Sequence, residues 1–146
     1  MSMTGASPVG SPGEHLDWLL EGLLSRTPGI RHVLVLSKDG LKIRFTSGLD
    51  IDRADQLAAI ASGIQSLALS ASAEFGTGSI GSGQAMVEFR GGLLLVIPAG
   101  EGAHLAVVAA DEADVGIVAH NMNELVEQMG AYLSAAPRRV SSAPVS

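Results

Sequence analysis

The chain has 146 residues, 47% hydrophobic and 16% charged, enough for one sizeable core and too few for two ordinary domains. Aromatic residues make up 3%, and acids outnumber bases by 15 to 9, which argues against both a base-stacking platform and a phosphate-tracking surface. There is no cysteine, so disulfides, thiolate nucleophiles and sulfur-ligated zinc are removed together.

Residues 1–13 are rich in Gly, Ser and Pro and lack the basic start and apolar core of a secretory signal; they are expected to form a disordered tail. Ser11-Pro12-Gly13-Glu14 has capping-box spacing, and Leu16, Leu19, Leu20 and Leu23 then recur at helical intervals, so a helix of about three turns follows. Pro28-Gly29 breaks it. Ile30 to Ser37 reads as a strand, Asp39-Gly40 as a tight turn, and Leu41 to Thr46 as a second strand. Strict alternation there puts Leu41, Ile43 and Phe45 on one face and Lys42, Arg44 and Thr46 on a wet one.

Asp50 or Asp52 can cap a long helix whose apolar positions are Leu57, Ile60, Ala61, Ile64, Leu67, Ala68 and Ala71. The rest of its surface carries Ala58, Ala59, Ser62, Gly63, Ser66 and Ser70, where a solvated helix would hold Lys and Glu. Either these residues simply sustain helicity, or a second helix packs closely on them. Gly76 to Gly83 reads as a connector. Ala85 to Phe89, Leu93 to Ile97 and His104 to Ala109 are short strands joined by hairpin-length turns. Asp111, Glu112 and Asp114 precede a helix with Val115, Val118, Ala119, Met122, Leu125, Val126, Met129 and Leu133 on one stripe. Residues 14–134 are thus expected to form one α+β domain, an antiparallel sheet sandwiched by segregated helices, with 135–146 a second disordered tail. No apolar run approaches the roughly 20 residues of a membrane span, and a cytoplasmic protein is the default expectation.

Chemistry-bearing motifs are scarce. Gly76 to Gly81 matches G-x-G-x-x-G, but it leaves a helix and enters a strand, so no helix start is aimed at a phosphate. His15, His32, His104 and His120 lie on four different elements with no metal-ligand spacing. Serines lack the G-x-S-x-G setting of an exposed nucleophile. The close acids Asp50/Asp52, Asp52/Asp55 and Asp111/Asp114 fall at helix starts, where capping accounts for them. The expectation is therefore no enzyme, no catalytic residue, no metal and no cofactor. Arg53, Gln56 and Ala59 are spaced by three on the long helix, off the stripe of Leu57, Ile60 and Ile64, and form a candidate partner-binding patch.

The element order, with Asp39-Gly40, Leu57 to Leu67 (LAAIASGIQSL) and Ala113 to Leu125 (ADVGIVAHNMNEL), resembles the roadblock, or dynein light chain, domain, in particular the bacterial versions from actinobacterial conservon operons. The resemblance covers residues 14–134. Such bacterial proteins often carry an acid in the third-helix motif, where this chain has Asn121. The resemblance implies a five-stranded antiparallel sheet, the second helix on one face and the first and third on the other. It also implies a homodimer in which the strand beginning near Ala85 pairs with its own copy and the second helices lie side by side. Dimer contacts are then expected at Ala61, Gly63, Ile64, Ala68, Met86 and Val87. The implied partner is a small Ras-like GTPase, which such proteins activate or scaffold, in conservon versions beside a membrane histidine kinase. The alternatives are an assembly subunit indifferent to nucleotide state and a small-ligand sensor.

Overall fold

A computed structural model describes residues 11–77 and 83–135. In chain order the elements are α1 (Pro12–Arg26), β1 (Ile30–Ser37), β2 (Lys42–Phe45), α2 (Ile51–Phe75), β3 (Ala85–Phe89), β4 (Gly92–Pro98), β5 (Ala103–Ala110) and α3 (Val115–Ala135). The expected tails fall almost entirely outside the described residues, as does most of the glycine-rich connector.

The starts of all three helices follow capping chemistry. Ser11 Oγ accepts from Glu14 N at 3.2 Å, Asp50 Oδ1 from Arg53 N at 2.8 Å, and Asp114 Oδ1 from Ile117 N at 3.2 Å. Each satisfies one of the donors that a helix start leaves free. Gly29, at φ +93°, turns the chain from α1 into β1; a Cβ there would lie 2.5 Å from that of Ala113, so glycine answers both the backbone conformation and the close approach.

The strands form one antiparallel sheet in the order β2-β1-β5-β4-β3. Because side chains alternate across a strand, the central strands feed two cores. Val33, Val35, Leu93, Leu95, Ile97, Leu105 and Val107 meet Leu16, Leu20 and Leu23 of α1 and Val118, Met122, Leu125 and Met129 of α3. On the other face Leu34, Leu36, Leu94, Val96 and Ala106 meet Ala54, Leu57, Ala58 and Ala61 of α2. Full burial of each Leu or Met stabilises the fold by about 1.5–3 kcal/mol. Asn121 Nδ2 donates to Thr27 Oγ1 at 2.8 Å and ties α3 to the end of α1.

The second hairpin strand departs from the alternation its sequence suggests. The β1–β2 ladder shifts register between Val35 and Leu36, so Arg44 lies opposite Val35 while Lys42 lies opposite Leu36. Those two partners face opposite sides of the sheet. Arg44 accordingly pairs with Asp17 of α1 at 3.4 Å, and Lys42 with Asp55 of α2. An extra residue in one strand inverts which side chains share a face. Leu41 and Ile43 are left exposed, and only Phe45 of the expected apolar trio packs under α2.

Candidate functional site

α2 runs for 25 residues, about 37 Å at helical rise. Its buried side is Ala54, Leu57, Ala58, Ala61 and Gln65, rotated from the expected stripe: Ala58 faces the sheet and Ile60 and Leu67 do not. Beyond Gln65 no side chain of α2 is buried, and Leu67 and Phe75 are 71% and 87% exposed. The last stretch, about 15 Å of helix, therefore buries no side chain against the sheet. Gln65 Nε2 anchors its root by donating to Gly83 O at 3.2 Å, just before β3.

β3 ends the sheet, and among the described residues no strand pairs with its outer edge. Register divides its side chains. Val87 and Phe89 lie opposite Leu94 and Gly92 on the α2 face, whereas Met86 and Glu88 lie opposite Leu95 and Leu93 on the other. All four are exposed. An open edge flanked by exposed apolar side chains is a surface that soluble proteins normally cover or blunt.

Between the first half of α2 and this edge lies a groove of about 360 Å³. Leu94, Val108, Val87 and Phe89 form its apolar floor, Leu57, Ile60 and Ile64 its helical wall, and Arg31, His32 and Arg53 its basic end. His32 is held below its ordinary pKa, first by burial and then by the neighbouring Arg53 and Arg31. Among the described residues its buried Nδ1 has no hydrogen-bond partner.

The expected patch divides across this geometry. Arg53 and Gln56 are exposed and border the groove, while Ala59 is exposed on α2 but is not part of its lining. Among the expected dimer contacts, Ala61 is fully buried against the sheet within the chain, which leaves Gly63, Ile64 and Ala68 of α2 at least partly accessible. Gly63 is exposed, and a Cβ there would meet nothing within 4 Å. Ile64 and Val87 line the same groove; Met86 lies on the opposite sheet face. Sequence periodicity missed Phe75, Phe89, Arg31 and His32. The available signal for the last two was a pair of cationic or titratable side chains at the head of an otherwise branched apolar strand.

Among the described residues no group of three His, Asp or Glu side chains could hold a metal. His120 instead faces Glu124 one turn on, and His15 stacks on Trp18. No helix among them is long and apolar enough to cross a membrane.

Comparison with known proteins agrees with this architecture. A Roadblock/LC7 domain from Streptomyces avermitilis superposes with a TM-score of 0.76 at 43% identity, over 82% of this chain and 98% of that one. The gliding protein MglB from Thermus thermophilus shares the fold at a TM-score of 0.73 and 22% identity, over 87% and 94%. Myxococcus xanthus MglB does so at 0.72 and 15%, over 83% and 96%. No curated protein sequence matches. The family model of the Roadblock/LC7 domain matches residues 16–109, and the chain belongs to that family.

Proposed function

We propose that this protein is a noncatalytic, homodimeric regulatory or scaffold subunit that binds a small Ras-like GTPase through the outer face of α2. The observation that carries the reading is the exposure of the apolar side chains Ile60, Leu67 and Phe75 of α2 together with the open edge of β3. Such an arrangement fits a continuous sheet across two copies, with the helices side by side on one face, as the family resemblance implies. Two copies would present the outward residues Gln56 and Ala59 twice, with Arg53 between that face and the groove. A GTPase held there changes its own switch equilibrium only insofar as its two nucleotide states bind with different affinity.

The test is recovery from native cell extract on the immobilised protein, with GDP or a nonhydrolysable GTP analogue present, followed by surface plasmon resonance with the recovered GTPase. Binding that depends on nucleotide, and that Ala59→Arg weakens without changing dimer mass, supports the reading. Equal binding in both states makes the protein a nucleotide-independent assembly subunit. Isothermal titration should give no binding of GTP or ATP to the purified protein alone, and micromolar binding would overturn the reading of the G-x-G-x-x-G match at Gly76 to Gly81 as a plain connector.

A further inference from the structure

The floor of the groove is a single row of side chains across the sheet. His32 of β1 lies opposite Val108 of β5, Val108 opposite Leu94 of β4, and Leu94 opposite Val87 of β3, so the row crosses three strand spacings, about 14 Å. The ring of Phe89 flanks it at β3, folded back over Gly92, where a Cβ would lie 2.8 Å from Phe89 Cζ. The row starts at the basic end and runs out at the open edge of β3. At the basic end neither Arg31 nor Arg53 has a carboxylate partner among the described residues, and no acid lines the groove in a chain of net charge -6. Asp50 and Asp52 stand at the same helix start, but Asp50 is turned to the Arg53 amide as its cap and neither borders the groove.

We infer that the groove is a binding site for a small amphipathic anion, a straight apolar tail ending in one carboxylate, with the carboxylate held at Arg31 and Arg53 and the tail laid along the row toward β3. The site goes beyond the regulatory role proposed above and does not depend on it. Size, charge and polarity select this class together. A volume of about 360 Å³ falls in the range of small-ligand pockets. Two arginines without carboxylate partners favour an anion over a cation, and a guanidinium fork matches the two oxygens of a carboxylate. Val108, Leu94 and Val87 offer no side-chain donor or acceptor, so a sugar or a nucleobase laid on them would give up its hydrogen bonds to water without replacement. An apolar tail loses nothing there. The row of about 14 Å suits a tail of roughly ten carbons, because anything longer passes the β3 edge into solvent.

The test is isothermal titration of the full chain at neutral pH with sodium decanoate, kept below its micelle concentration, which should show saturable binding at one site per chain. Decanol, decyltrimethylammonium and acetate separate head from tail, and each should bind at least about tenfold more weakly. From hexanoate to decanoate the affinity should rise up to about fourfold per added methylene, then level off at dodecanoate and tetradecanoate. Partition onto an unspecific apolar surface would instead keep rising with tail length. Arg31→Gln and Arg53→Gln should each weaken decanoate at least about fivefold while leaving decanol binding and the thermal melt unchanged. No saturable binding of decanoate by the unsubstituted protein overturns the site, whether the groove stays empty or a second copy fills it. Affinity that climbs past decanoate without levelling, or that both arginine variants retain, overturns it as well and assigns the tail to another exposed apolar surface, such as that of Leu67 and Phe75.

Discussion

Thr46 is a small polar residue that does the work of a ladder rung. It is buried, its amide donates to Val33 O at 3.0 Å, and its Oγ1 accepts from Val33 N at 3.1 Å. Thr46→Val keeps the shape and strands the Val33 N–H away from water, which should cost about 1–3 kcal/mol in urea unfolding. Thr46→Ser keeps the hydroxyl and should cost less; equal losses would mean packing rather than the hydrogen bond is at stake. His32 and His104 make the second argument at this scale. Burial holds both below their ordinary pKa, and the Nδ1 of each is buried without a partner among the described residues. Above about pH 6.5 both are neutral whether folded or unfolded. As the pH falls below that value the unfolded chain takes up protons first, so stability is lost progressively until the lowered folded-state values are passed. The urea midpoint should therefore drop between pH 7.5 and pH 5, and the drop should shrink in the His32→Gln/His104→Gln double variant. An undiminished drop would assign the pH dependence to other groups.

At the scale of the element, capping was legible from composition alone while side-chain direction was not. Asp50 and Asp52 both read as possible caps because they open a helical run, and the structure uses Asp50; Asp50→Ala should destabilise the protein by about 0.5–2 kcal/mol, with the lost helicity measured by thermal melting in circular dichroism. An unchanged melt would show that the neighbouring Asp52 can replace the cap. The alternation of Leu41 to Thr46 was equally clear, yet it misassigned two cations, because one bulge inverts every face beyond it and leaves no local mark in the residue types. In α2 the apolar positions span so wide an arc that Ile60 and Leu67 look as inward as Leu57. The decision between them came from the small residues: Ala54, Ala58 and Ala61 let the helix sit low on the sheet, and it is that side which is buried.

For the whole molecule, the sandwich was readable because three helical stripes and five short strands leave few ways to bury their apolar faces. The groove was not, since Arg31 and His32, Arg53, and Val87 and Phe89 come together only through the strand order that puts β3 at the edge. The small surface residues of α2 remained undecided in sequence for the same reason: their meaning depends on what lies opposite. Gly63 decides between the two readings. In the single chain it faces open space, so Gly63→Ala should stabilise the folded chain by up to about 1 kcal/mol through helix propensity alone, and Gly63→Leu should leave the chain's own packing undisturbed. If a second α2 crosses there, the leucine must be accommodated between two closely spaced helices in both copies at once, and overpacking of that kind typically costs about 1–3 kcal/mol per site. Sedimentation should then show Gly63→Leu dissociating at concentrations where Gly63→Ala is still largely dimeric, while both remain fully folded by circular dichroism. A Gly63→Leu dimer as tight as the original would mean that the helices do not meet at this point, and that the small residues serve helicity only.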